Sequence, residues 1–317
     1  MVKIIDILNC LREMAPEELA EPWDNCGLLV GSTREYAERV YVCLDVTQSI
    51  VNEAVAAGAE LIVSHHPLIF KPIKRLAYER FPGIPETPGS TGAPVSPGTT
   101  GAPGSPGLPG TAGAPGSPAA ILRTLIRGDV AVYAAHTNVD KTYGGLNDLL
   151  TGIMGLDANA PGGGGEQPGI YRLGMLPDAL AADEFDEYTR ARLKLANIIT
   201  SPPDTAPTAV GHPGAQPRKR IAKVLIMCGA FELDAETVAS LGADAVVCGE
   251  MRYHEALELS ERGVRVVQAG HHGTERFFVK LVEKWIKDQY PGLDVVCAGF
   301  SDSPLYMYNG RYASYDN

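Results

Sequence analysis

The chain of 317 residues contains no run of about 18 uninterrupted apolar residues, the length a membrane-spanning helix needs. Its opening, Met1-Val-Lys-Ile-Ile-Asp, lacks the apolar core and small-residue cleavage site of a signal peptide. Six cysteines, Cys10, Cys26, Cys43, Cys228, Cys248 and Cys297, are scattered without any C-x-x-C spacing, which argues against a zinc ribbon or a disulfide framework. These absences predict a soluble protein with reduced thiols in the cytoplasm. Positive charge is also short: 27 Lys plus Arg against 38 Asp plus Glu leave a formal net charge of -11. Such a surface repels phosphate backbones, so general nucleic-acid binding is disfavoured and small or metal-chelating ligands fit better. No P-loop or G-x-G-x-x-G follows a predicted strand, and no period of about 20 to 50 residues marks a solenoid or propeller.

Glycine and proline, by contrast, are abundant at 35 and 24 residues, and they are concentrated. From Gly83 to Pro118 the sequence reads as twelve triplets, ten of them opening with glycine and broken in phase only at Glu86 and Val95. This is a collagen-like Gly-X-Y pattern. As a rod it would span roughly 110 Å at about 3.1 Å per residue. Yet it lies between a strand and the helix that must cross back over the same sheet, so its ends should be close together. It therefore reads as a solvated, polyproline-II-rich loop that could shield a neighbouring site, with a short triple-helical association near a threefold axis as the alternative. A Gly-rich break from Ala160 to Gly169 and a Pro-rich one from Ser201 to Arg220 read as linkers. The expected organisation is an N-terminal α/β lobe over 1–160, a variable linker-rich segment over 161–220, and a C-terminal α/β part over 221–317.

Outside these breaks, β-branched runs alternate with amphipathic stretches. Val40 to Val46 predicts a strand, and Thr47 then caps a helix whose apolar positions are Ile50, Val51, Ala54 and Val55 and whose stop is Gly58. Glu60 to Ser64, the helical Ile121 to Arg127 and the strand Val130 to Ala135 complete a βαβαβ series. Strands at Lys223–Met227, Ala245–Cys248 and Val264–Ala269 continue the alternation. The predicted class is α/β with mainly parallel sheet.

Histidines stand at the carboxyl ends of these strands, where open α/β sheets place their ligands. The ends read Ser64-His65-His66-Pro67, His136-Thr-Asn-Val-Asp140 and Gly270-His271-His272-Gly273-Thr274-Glu275, so five of the seven histidines occupy three strand ends. His136 with Asp140, and His271 with Glu275, share a four-residue spacing; Thr274 is expected to cap the helix that follows, with its stripe of Phe277, Phe278, Leu281, Val282, Trp285 and Ile286. A single such His is ordinarily a hydrogen-bonded surface residue, but parallel strands present one edge, so three His-rich ends converge. Neutral imidazoles with carboxylates are what divalent metals take. Six ligands, His65, His66, His136, Asp140, His271 and Glu275, are too many for one open zinc site and suit two metals about 3.5–4 Å apart.

The strings Glu21-Pro-Trp-Asp-Asn-Cys-Gly-Leu-Leu-Val-Gly, Ser64-His-His-Pro-Leu-Ile-Phe, His136-Thr-Asn-Val-Asp and Gly270-His-His-Gly-Thr-Glu resemble those of the Nif-three-like (YbgI-type) dinuclear metal-centre family, whose members are often called GTP cyclohydrolase type-two homologues. The resemblance covers most of the chain, to Pro304. It implies that the same six residues hold two divalent ions, zinc, iron, manganese or nickel, between two α/β lobes in a homohexameric toroid. The Gly-X-Y run is a departure, since relatives have a short polar turn there.

Three further positions stay open at this level. Trp23-Asp24-Asn25 serves either packing or function. Asp45 either orients an imidazole or is a turn acid before Thr47. Glu250 and His254, within a string that resembles the family's G-E-x-x-Y-H-E-A, either shuttle protons or hold substrate as candidate catalytic residues, or form a satisfied pair at a helix start. His272 faces either cavity or solvent, and His212 in the Pro-rich linker is expected to be inert. The chemistry expected is metal-dependent hydrolysis of a small phosphorylated or nucleotide-like substrate, by phosphoester cleavage or ring-opening C–N hydrolysis, without nucleic acid or membrane as partner. The competing class is a non-catalytic metal-binding, metal-delivery or regulatory scaffold. A His-rich metallophosphoesterase fits worse, because Ser64 stands where such motifs carry Asp.

Overall fold

A computed structural model describes residues 1–73, 116–158, 169–202 and 220–299. Most of the Gly-X-Y run, all of the Ala160–Gly169 break but Gly169, most of the Pro-rich linker including His212, and Pro304 lie outside the described residues.

The strands are β1 (Val2–Lys3), β2 (Gly27–Val30), β3 (Tyr36–Ala37), β4 (Arg39–Cys43), β5 (Leu61–Ser64), β6 (Ala131–Ala134), β7 (Arg172–Leu180), β8 (Ile199–Thr200), β9 (Ile221–Ala230), β10 (Ala245–Glu250), β11 (Arg265–Gln268) and β12 (Asp294–Cys297). The helices are α1 (Ile4–Met14), α2 (Gln48–Ala57), α3 (Pro118–Gly128), α4 (Thr137–Lys141), α5 (Leu146–Ile153), α6 (Ala182–Arg192), α7 (Ala235–Ser240), α8 (Tyr253–Glu261), α9 (His271–Glu275) and α10 (Phe278–Gln289).

Two five-stranded sheets result, ordered β12-β4-β5-β6-β2 and β7-β9-β10-β11-β8. Strands β12, β4, β5 and β6 are mutually parallel, as are β9, β10 and β11, while β2, β7 and β8 pair antiparallel at the edges. The fold is thus mixed α/β with parallel strands at the centre of each sheet. The stretch 169–202, read as linker-rich, supplies β7, α6 and β8 to the second sheet, and β12 returns the chain to the first.

Alternation decides which face each strand buries. Val40 and Val42 of β4, with Leu61, Val63 and Tyr133, share one core with Val224, Ile226, Ala245 and Val247 of the second sheet. Tyr41, Cys43 and Ile62 turn the other way, under α2 and α3. The stripe Phe278, Leu281, Val282, Trp285 and Ile286 seals the shared core, each side chain contributing about 1.5–3 kcal/mol when fully buried.

Local signals behave as their chemistry requires. Thr47 Oγ1 accepts from Ile50 N, and Gly58 closes α2 at φ 75°, a left-handed conformation open to glycine at no steric cost. The last Gly-X-Y triplet does not continue the repeat: Ser117 caps α3, accepting from Ala120 N, and Pro118 is its first helical residue. Thr274 is not the cap predicted for the last helix. It sits inside the short α9, where Oγ1 donates to His271 O and accepts from Gly229 N, tying α9 to β9.

Candidate metal centre

The ends of β5, β6 and β11 converge, and each brings its histidines. His65 and His66 follow β5 directly, His136 sits at the N-terminus of α4, and His271 opens α9. Ring centroids lie 5.0 Å apart for His65 and His66, 5.1 Å for His65 and His136, and 5.4 Å for His66 with both His136 and His271. Asp140 and Glu275, each one helical turn after its histidine, are buried beneath the rings.

The outward nitrogen of every ring meets an acceptor. His65 Nδ1 donates to Ala135 O at 3.0 Å, His66 Nδ1 to Asp45 at 2.8 Å, His136 Nδ1 to Asp24 at 2.9 Å and His271 Nδ1 to Glu250 at 3.2 Å. Carbonyls and carboxylates only accept, so all four Nδ1 atoms carry hydrogen and the Nε2 atoms turn to the centre. There, His66 Nε2 lies 3.0 Å and His271 Nε2 3.1 Å from Glu275 Oε2, while His65 Nε2 lies 3.5 Å from Glu275 Oε1 and 3.8 Å from Asp140 Oδ1. Two overlapping groups, His65-His66-His136 and His66-His271-Glu275, each hold their ligand atoms within 4.8 Å of one another.

Buried polar atoms without partners are costly. His65 Nε2 and Asp140 Oδ1 are buried and face this centre, and Glu275 Oε2 is buried there with only the ring nitrogens of His66 and His271 beside it. A cation would satisfy them together, and imidazole with carboxylate suits zinc, iron, manganese or nickel, so the residues present fit a metal. Cys228 lies against Asp140, and burial, and next the Asp140 charge, push its thiol well above the usual range.

The charges follow from the same packing. Burial opposes charge on His66, yet its hydrogen bonds to Asp45 and Glu275 outweigh it and lift the ring to about 10. His271 rises to about 9, again against burial, through Glu275. Burial would raise Glu275, but His65, His271 and His66 hold it well below the usual carboxylate range. Asp140 goes up, because burial and the nearby Glu275 outweigh its histidines.

The residues left open by sequence now separate. Asp24 and Asp45 each orient an imidazole. Besides His136, Asp24 accepts from Thr137 N and Oγ1 at 3.1 and 2.6 Å, and Asn25 Nδ2 donates to Ile69 O at 2.5 Å, fastening this loop to the one after β5. Glu250 supports His271. His254 is not brought to the centre: it is exposed on α8, with its ring 5.4 Å from that of Tyr253. His272 is half-buried and lines a cavity of about 580 Å³ beside His66 and His271. Sequence reasoning missed Asn147 of α5, whose side chain donates to Asp140 O and Ile170 O and accepts from Cys228 N. It also missed Arg172, whose guanidinium donates to Lys141 O and Thr142 O and so anchors the end of α4. An Asn within Leu-Asn-Asp and an Arg opening a strand carry no pattern that marks such roles.

Fold and site together define an α/β protein with a His-carboxylate centre at the meeting of two sheets. The chain belongs to the Duf34/NIF3 (NGG1p interacting factor 3) family, whose model matches residues 2–84 and 113–304 and skips most of the Gly-X-Y run. It is 30% identical over 291 residues to a GTP cyclohydrolase 1 type 2 homolog of Nostoc sp., covering 89% of this chain and 91% of that one. It is 28% identical to the GTP cyclohydrolase 1 type 2 of Helicobacter pylori, covering 89% and 90%. A crystal structure of a Bacillus cereus protein related to NIF3 superposes with a TM-score of 0.71 at 20% identity, over 96% of this chain and 99% of that one, a likeness of fold.

Proposed function

We propose that the protein is a cytoplasmic, homohexameric hydrolase with a dinuclear metal centre, acting on a small phosphorylated or nucleotide-like substrate. The observation that carries this reading is the convergence of His65, His66, His136 and His271 in two overlapping groups with Glu275, beside buried Asp140, which leaves buried polar atoms for a cation to satisfy. His65, His136 and Asp140 would hold one ion and His66 and His271 the other, with the two oxygens of Glu275 available to either. When bound, two dications would ionise a water near neutral pH and polarise the group under attack. The chain's own part is orientation: Asp24, Asp45, Glu250 and Ala135 O keep the Nδ1 hydrogens outward and the rings fixed. Glu250, lining the cavity, is also placed to meet substrate. The relatives' names suggest ring-opening C–N hydrolysis, and phosphoester cleavage fits the same residues.

The test is a panel of phosphoesters and nucleotides with defined metals added back to stripped protein. Turnover should need metal, and Asp140→Asn or His271→Ala should lower it far more than they lower the melting temperature. The second reading, a metal-binding scaffold, is favoured by one observation: His65 comes from the first sheet and Glu275 from the second, so an ion here would tie the sheets together. Metal-dependent melting without turnover on the panel would decide for it.

A further inference from the structure

The cavity beside the centre has a charge pattern that restricts its occupant. At about 580 Å³ it falls within the roughly 300–1,000 Å³ of small-molecule sites. Besides His66, His271 and His272, its ionisable lining is acidic, Asp45, Glu250 and Glu275, and among the described residues no Lys or Arg lines it. Arginines adjacent in sequence are engaged elsewhere: Arg276 donates to Leu193 O and Lys194 O, and the guanidinium of Arg252, 80% exposed, lies 3.5 Å from Glu255. The other walls are apolar, from Leu44, Ile198, Ile199 and Met251, with the amides of Asn197 and Gln268 set among them. Gln268 Oε1 is already taken by Met251 N at 3.0 Å, so its amide nitrogen is the group left to serve a ligand, a donor suited to a carbonyl or ring nitrogen.

We infer that this cavity holds the uncharged body of a substrate bearing a single phosphoryl group, a monophosphate of a heteroatom-bearing ring, and selects against di- and triphosphates. The inference rests on the metal-centre reading, because the phosphoryl group would sit on the ions. Two dications there are already offset by Asp140, Glu275, Asp45 and Glu250. Direct coordination can hold one phosphoryl group, whereas a second or third would face carboxylates, with no Lys or Arg among the described residues of the cavity wall to meet it. The net charge of -11 adds repulsion at longer range.

Isothermal titration calorimetry on metal-loaded full-length protein tests this, with guanosine 5′-mono-, di- and triphosphate as probes and metal content measured before and after each titration. Affinity should fall by at least about tenfold from mono- to triphosphate; equal or tighter triphosphate binding overturns the inference. Ile199 is 60% exposed on the cavity wall, so Ile199→Arg should fold. It should raise triphosphate affinity at least about tenfold while moving monophosphate affinity by less than about threefold. An unchanged triphosphate affinity in that variant places the ligand elsewhere and rejects the cavity assignment. If wild type binds none of the probes, the inference fails. The metal content of the same sample separately decides the centre: bound metal keeps that reading, and none in protein offered zinc or manganese sinks it.

Discussion

Asp24 Oδ1 lies 2.9 Å from His136 Nδ1, while its Oδ2 holds the backbone N–H and hydroxyl of Thr137. One buried carboxylate thereby fixes both the tautomer of a candidate ligand and the first turn of the helix that carries Asp140. His136 and Thr137 hold its pKa well below the usual range, against burial. Asp24→Ala should weaken metal binding by about 10–100-fold, the usual cost of losing such a support. It should also destabilise the metal-free protein by about 1–3 kcal/mol, since Thr137 loses its acceptor. Chelator competition measures the first and thermal melting of stripped protein the second. Asp24→Asn, which keeps an acceptor oxygen, should recover part of both. Unchanged metal affinity in the alanine variant would rule out the orienting role.

Gly229 should tolerate no side chain. It sits at φ 63°, and a Cβ there would press on Glu275 Oε1 and lie 3.6 Å from His271 Cε1. Gly229→Ala therefore meets backbone strain of about 1–2 kcal/mol together with displacement of a carboxylate that three histidines converge on. Metal affinity should drop more than melting temperature does. A variant that melts lower yet binds metal as wild type does would show that Glu275 can move without consequence.

The meeting of His65 and His136 was legible in the sequence because β5 and β6 are parallel neighbours that share an edge; that His271 joins them was not, since β11 lies in the other sheet and the two sheets are brought together by packing through the shared core. Asp24 was visible only as part of a string, because its partner lies 112 residues away and no local period reports such a contact. The βαβαβ series from β4 to β6 was readable from alternation and caps. The return of β12 beside β4 was not, since joining residues 294 and 39 is a long-range choice made by packing, with α10 closing the shared core. Thr274 was misread as a cap because its spacing fits one, whereas tertiary contact with Gly229 N claims its hydroxyl.

Removing residues 83–118 outright would take the cap of α3 with it, because Ser117 and Pro118 begin that helix. Deleting 83–115 and joining the ends through a short Gly/Ser turn should leave folding, metal content and oligomeric state unchanged. The family model matches on either side of this interval without most of it, and loop-closure entropy changes by only about 0.6 kcal/mol per doubling of length. Melting temperature should stay level or rise slightly. Loss of the oligomer on size exclusion would show that the Gly-X-Y run associates.

Metal uptake should release protons. In the metal-free centre His66 and His271 titrate at about 10 and about 9, raised by Glu275 and, for His66, Asp45, so both are charged at pH 7.5 and must become neutral to ligate. Both folded values lie above the ordinary histidine value of about 6.5. The stabilisation they give the metal-free fold is therefore complete below about pH 6.5 and lost as pH rises through 9 to 10. Metal affinity should run the opposite way, strengthening with pH across that window as the competing protons leave. A titration of stripped protein with zinc in weakly buffered solution should release roughly one to two protons per chain at pH 7.5. His66→Gln should remove about one of them. Uptake with no proton release, or an affinity independent of pH between 6.5 and 9, would mean that these rings are already neutral or do not bind the ion.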